Sequence, residues 1–132
     1  MSNDLHIDVA PLPNGIRHAT LHGHVDSTSA PSLVGLLRQE RRRSVILDLV
    51  QVGAISSAGA VALLTLAADF RDAGGELILA RPTRAVRNVL ETLGVPAEVP
   101  LLATIEAAVL RLTPKRPRRS GQSSDRLQPA RV

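Results

Sequence analysis

Apolar positions along this chain recur with two periods, and the places where the period changes mark the elements. Residues 5–9 (LHIDV) alternate apolar and polar, as a strand with one buried face does. Residues 11–15 (PLPNG) form a turn, and Asn14-Gly15 is a strong hairpin signal. Residues 16–25 alternate again, with Ala19, Leu21, Gly23 and Val25 on one side and His18, Thr20, His22 and His24 on the other. These two strands are expected to pair antiparallel. Residues 26–29 (DSTS) are capping types, Pro31 suits a first helical turn, and Ala30, Leu33, Val34 and Leu37 share one helical face. That helix ends in RQERRR (38–43), where cations favour the negative end of the helix dipole.

The nearly continuous apolar run 45–50 reads as a central strand covered on both faces. A turn of small residues is expected to follow, and then a helix from Ser57 to about Ala73. Its buried stripe is Ala60, Leu63, Leu64, Ala67 and Phe70, and Gly74-Gly75 supplies the stop. Residues 76–80 (ELILA) form a strand. Thr83 caps a third helix with Val86, Val89, Leu90 and Leu93 inside and Gly94 at its end. Residues 99–102 make a short last strand, and Thr104 caps a final helix with Ile105, Ala108, Val109 and Leu112 inward. Strands alternating with helices imply an α/β domain with a largely parallel sheet. The expected fold is a single domain over residues 1–112: a mixed β-sheet with an N-terminal antiparallel hairpin and about four helices packed on it.

Composition adds constraints. With 132 residues the chain suits one domain, and Phe70 is its only aromatic residue, so the core must be Leu, Val, Ile and Ala. The absence of cysteine excludes disulfides and thiolate chemistry and fits a reducing compartment. No apolar run approaches the roughly 20 residues that span a bilayer, and the N-terminus has neither part of a signal peptide. A cytoplasmic location without a membrane span is the expectation. The charge is segregated. Residues 1–112 carry ten Arg against eleven Asp and Glu, whereas residues 113–132 carry six Lys and Arg against Asp125. That Pro-, Ser- and Arg-rich tail is expected to be disordered, and without exposed aromatic platforms no specific nucleic-acid partner is expected.

The candidate chemistry lies in the stretch ISSAGA (55–60), where Ser56 and Ser57 meet a helix N-terminus beside Ala58 and Gly59. Serine is a good N-cap, and a helix N-terminus also favours a phosphate. Catalytic readings fare poorly. The stretch lacks the first glycine of a G-x-S-x-G elbow, no glycine-rich phosphate loop with Lys-Ser or Lys-Thr occurs, and no carboxylate pair stands out as acid and base. No catalytic residue and no cofactor is assigned. His18, His22 and His24, with His6 and Asp8 alongside, read as a solvated strand face rather than a metal site. Asp48 is expected to hydrogen-bond loop backbone.

Taken together, GHVD (23–26), ILD (46–48), SAG (57–59), GGELIL (74–79) and RAVRNVLETLG (84–94) resemble in order and spacing the STAS domain of bacterial anti-sigma factor antagonists, over residues 5–112. The resemblance implies a partner switch. The antagonist binds an anti-sigma factor that is also a serine kinase, frees a sigma factor, and lets go once the serine opening the second helix is phosphorylated; a phosphatase restores it. Ser57 matches the phosphoacceptor, with Ser56 as the alternative. Asp26, Ser56, Ser57, Ala58 and Gly59 form the implied contact surface. Ser56 stands where family members usually have Asp. STAS-like domains also serve as accessory subunits of lipid or anion transport systems, without a phosphorylation switch.

Overall fold

The computed structural model describes residues 5–112; the expected tail over residues 113–132 lies outside the described residues. The chain runs β1 (His6–Pro11), β2 (Ile16–Val25), α1 (Ala30–Arg38), β3 (Ser44–Ile55), α2 (Ser57–Ala73), β4 (Glu76–Ala80), α3 (Arg84–Thr92), β5 (Leu101–Leu102) and α4 (Ile105–Leu112). The five strands lie in the order of the sequence. β1 pairs antiparallel with β2, and β2 to β5 are parallel. Between β1 and β2, Asn14 and Gly15 both take positive φ, which glycine and asparagine adopt at least cost.

The sheet order decides where the helices go. Three successive parallel crossovers step the same way along the sheet, and a fixed right-handed crossover then puts α1, α2 and α3 on one face. Leu33, Leu37, Leu63, Leu66, Phe70, Val86 and Leu90 bury there against Leu21, Leu47, Leu49 and Leu79. α4 follows the last strand and covers the opposite face with Ala108 against Ile16, Ile46 and Ile78. β3 is thus covered on both faces through its first half, as its apolar run predicts.

The structure departs from the sequence reading at several points. β3 does not end at Val50 in a turn of small residues; it continues to Ile55, its second half pairing with His22 to Val25 of β2. Register shifts between Thr20 and His22 and between Gly23 and His24 make Val52 and Ile55 the inward residues of that half. Such bulges break the simple alternation on which the shorter strand rests. Leu66 joins the α2 stripe. Leu93, expected inside, is 44% exposed, because α3 gives way to a left-handed Gly94 and Val95 takes the buried place. The last strand is only Leu101–Leu102; Val99 is buried ahead of it.

Candidate functional site

The C-terminal ends of β2 and β3 lie side by side, with Val25 opposite Ile55. Asp26 and Ser56 are the next residues on each strand, so both are delivered to one edge of the domain by the sheet. Ser56 is extended (φ −96, ψ 173) and is the N-cap of α2, its Oγ accepting the Gly59 N–H at 3.2 Å. Its own N–H donates to the Val25 carbonyl at 2.8 Å, tying the helix start to β2. Ser57 is therefore the first helical residue. Its side chain is exposed, and its hydroxyl makes no hydrogen bond among the described residues. Of two adjacent serines, one is committed to capping and the other is free.

Asp26 shapes the loop into α1. Its Oδ1 accepts the N–H groups of Thr28 and Ser29, each at 3.0 Å. The buried Ser29 hydroxyl donates to the His24 carbonyl at 2.7 Å and accepts the Asp26 N–H. Gly59 requires a correction. Expected on the contact surface, it is buried beneath the helix start, where a Cβ would lie 2.4 Å from the Val25 carbonyl oxygen and 2.9 Å from Ile55 Cγ1. Glycine is present to let α2 sit on the strand ends.

Two concavities flank the serines. Ser57 and Ile55 line one of about 400 Å³ with Asn88, Val89 and Thr92 of α3 and the exposed Leu93 that follows it. Ala58 lines the other, about 570 Å³, with Val61, Ala62, Ala30 and Val34 between α1 and α2. The α3 residues are the part of this surface that sequence reasoning misses. The one available signal was Leu93, at the end of an apolar stripe that the helix is too short to bury.

Asp48 lies on the other face of the sheet and is fully buried. It accepts the Val50 N–H at 3.1 Å, as the expected backbone contact, but its main partner is Arg81, with Nε to Oδ1 at 3.1 Å and Nη2 to Oδ2 at 2.5 Å. His18 Nε2 lies 2.8 Å from Oδ2, donating as an ionised carboxylate requires. Burial alone would raise the Asp48 pKa; the hydrogen bonds from Arg81, His18 and Val50, with the Arg81 charge, outweigh it and hold the carboxyl below its ordinary value. His18 thus hydrogen-bonds the buried Asp48 beside Arg81 and is half-buried rather than part of a solvated face. His6 and His22 both contact Asp8 on exposed strand surface, at 2.9 and 3.2 Å. Among the described residues no group of three or more His, Cys, Asp and Glu is arranged to hold a metal ion, and no helix is long and apolar enough to cross a membrane.

The comparisons with known proteins agree with this geometry. The model of the STAS domain matches residues 9–108. A Bordetella bronchiseptica protein named as an anti-sigma factor antagonist, BtrV, is 36% identical over 98 residues, which is 72% of this chain and 84% of the relative. The unphosphorylated form of the Bacillus anti-sigma factor antagonist SpoIIAA superposes with a TM-score of 0.66 at 18% identity, covering 81% of this chain and 96% of that one. A part of the murine anion transporter Slc26a9 has the same fold, with a TM-score of 0.65 at 18% identity over 74% of this chain and 17% of the transporter. The two structural likenesses bear on the fold alone, whereas the matched domain and the BtrV relative bear on descent. The chain belongs to the STAS domain family, among the anti-sigma factor antagonists.

Proposed function

We propose that this protein binds an anti-sigma factor that is also a serine kinase, through the surface carrying Asp26, Ser56, Ser57 and Ala58, and that phosphorylation of Ser57 ends the complex. In the unmodified state it sequesters the kinase and leaves the sigma factor free for transcription in the cytoplasm; a phosphatase resets it. The observation that carries this reading is the division of labour between the two serines. The Ser56 hydroxyl is engaged with Gly59 and half-buried, whereas the Ser57 hydroxyl is exposed and unbonded at the first helical position. Ser57 rather than Ser56 is accordingly the acceptor.

The chain needs to supply no catalytic group. A base on the kinase takes the Ser57 proton, the γ-phosphoryl of ATP passes to Oγ, and ADP leaves. The product is compatible with the fold, because free N–H groups and the dipole at the α2 N-terminus favour a phosphate. It also adds about −1.5 to −2 charges to a surface flanked by the apolar groove of Ile55, Val89 and Leu93, which disfavours a docked partner by desolvation and repulsion. Ser56 provides the same cap that aspartate would, so the family's usual acid is replaced without loss of the helix start. Gly59 contributes indirectly, by setting where α2 begins.

The test is phosphosite mapping after incubation with candidate anti-sigma kinases and ATP, with binding measured for the wild type, Ser57→Ala and Ser57→Glu. Phosphate on Ser57, retained binding by Ser57→Ala and lost binding by Ser57→Glu are expected. No kinase binding, together with a membrane transport protein captured equally by all three forms, would instead support the accessory-subunit role.

A further inference from the structure

The end of the sheet opposite Ser57 carries a concentration of arginine that the serine switch does not use. α1 ends at Arg38, and the chain then runs through Gln39, Glu40, Arg41, Arg42 and Arg43 into β3. Arg41 donates to the Arg38 carbonyl at 2.9 Å and so satisfies the end of α1. Arg43 and Arg17 both approach Glu40, at 3.4 and 3.7 Å, and Arg38 pairs with Asp69 at 3.2 Å. Arg42 is exposed and has no partner among the described residues. Gln39, Arg41, Arg42 and Arg43 together line a concavity of about 410 Å³. Capping α1 takes one cation, and the remainder leave a net positive hollow.

The hollow is built rather than incidental. Gly75 lets the loop lie against the α2–β4 turn, since a Cβ there would meet the Arg41 carbonyl oxygen at 2.2 Å and that of Arg43 at 2.3 Å. The Glu76 N–H then donates to the Arg43 carbonyl at 3.1 Å. Glu76 in turn shares a groove with Leu110 and Arg111, so the last turn of α4 is at this same end. Leu110 is 75% exposed, more than any other large apolar side chain among the described residues. From there the sequence continues through Lys115, Arg116, Arg118 and Arg119.

We propose that this end of the domain, with Arg41, Arg42 and Arg43 on one side of Glu76 and Leu110 and Arg111 on the other, docks on an anionic lipid surface. Clustered cations are attracted to phosphate headgroups, and an exposed leucine at their edge suits the boundary between headgroup and acyl chain. Nucleic acid would use the same cations but has no use for Leu110, and the single Phe, Tyr or Trp side chain of the sequence, Phe70, is buried. β3 spans the domain from this surface to the serines, and its twelve residues separate the two ends by roughly 35 Å. A lipid surface and an anti-sigma factor can therefore be held at once. The proposal does not depend on phosphorylation of Ser57.

The experiment uses the full chain and vesicles of phosphatidylglycerol mixed with phosphatidylcholine, compared with phosphatidylcholine alone, in a sedimentation assay at low and high salt. Salt-sensitive binding to the anionic vesicles only is expected. A basic residue near such a surface is worth about a fivefold change in partitioning, so Arg42→Gln with Arg111→Gln should weaken binding about 25-fold. Leu110→Gln should weaken vesicle binding while leaving any binding to duplex DNA unchanged. Circular dichroism melting and, where a kinase partner is in hand, its binding should be unaltered in these variants, which separates a failed patch from a failed fold or a failed switch. No binding of the wild type to anionic vesicles, binding indifferent to these substitutions, or tighter binding to DNA with the same arginine dependence would each overturn the proposal.

Discussion

The carbonyl oxygen of Val25 lies 2.4 Å from where a Cβ on Gly59 would stand, so the start of α2 rests directly on the end of β2. The same carbonyl accepts the Ser56 N–H at 2.8 Å, which ties the helix to the strand from one residue before its first turn. A methyl group here meets backbone, which cannot rotate away as a side chain would. Gly59→Ala should therefore cost about 1–3 kcal/mol by overpacking and push the first turn of α2 outward. Thermal unfolding should register the loss, and binding to a kinase partner should fall with it, since Ser57 and Ala58 ride on that turn. An unchanged melting temperature would show that the contact relaxes freely.

Ser56 offers a cleaner separation of stability from switching. Removing its cap by Ser56→Ala should cost about 1 kcal/mol, whereas Ser56→Asp should preserve the hydrogen bond to Gly59 and fall within a few tenths of wild type. Both variants keep the Ser57 hydroxyl, so both should still be phosphorylated by a competent kinase. Denaturant titration together with phosphate incorporation measures the two properties. Loss of phosphorylation in Ser56→Ala, with its fold intact, would move the acceptor to Ser56.

How far the sequence reveals this site follows from the range of the interactions. The caps at Ser56, Thr83 and Thr104 are local and are visible as residue types at helix starts. The apolar stripes of α1 and α2 are likewise visible as a period, and the free serine follows from where α2 begins. What cannot be read locally is what the sheet brings together. Asp48 and Arg81 are 33 residues apart and meet only because Asp48 is opposite Ala80 in the parallel β3–β4 register. β3 looks shorter than it is because two irregularities in its pairing with β2 disturb the alternation. Gly59 stands for contact surface in the sequence and for close packing in the structure, since a missing side chain has the same letter in both roles.

The Asp48 cluster makes the fold sensitive to acid, with a definite sign. Its carboxyl has a folded pKa below the ordinary value of 3.8, so its contribution to stability is complete above that value and is lost as pH falls through the folded pKa. Asp48→Asn removes charge-assisted hydrogen bonds and should cost about 1.5–3 kcal/mol at neutral pH. The gap between wild type and Asp48→Asn in unfolding free energy should narrow below pH ~4. A gap constant from neutral pH down to acid unfolding would contradict the ion pair. Arg81 also holds a left-handed backbone (φ +56). Arg81→Gly should hence be less damaging than Arg81→Ala by about 1 kcal/mol, although both lose the guanidinium.

The apolar groove beside Ser57 gives a prediction in which binding and stability part company. Val86 of α3 is fully buried under the sheet, whereas Leu93, just past the end of that helix, is 44% exposed at the rim of the concavity that Ser57 lines. Val86→Ala removes buried methyl groups and should lower stability by roughly 1–3 kcal/mol, with partner affinity changed only through the fold. Leu93→Ser removes surface that no other element covers, so stability should move by less than about 0.5 kcal/mol. If the groove receives part of the kinase partner, affinity should nevertheless fall by about 1 kcal/mol, since apolar surface that the partner would take out of water is lost. Calorimetry of the complex and thermal melts of the free proteins give the two numbers independently. Affinity unchanged by Leu93→Ser, with Ser57→Glu still disruptive, would confine the contact to the serine and the α1 side of α2.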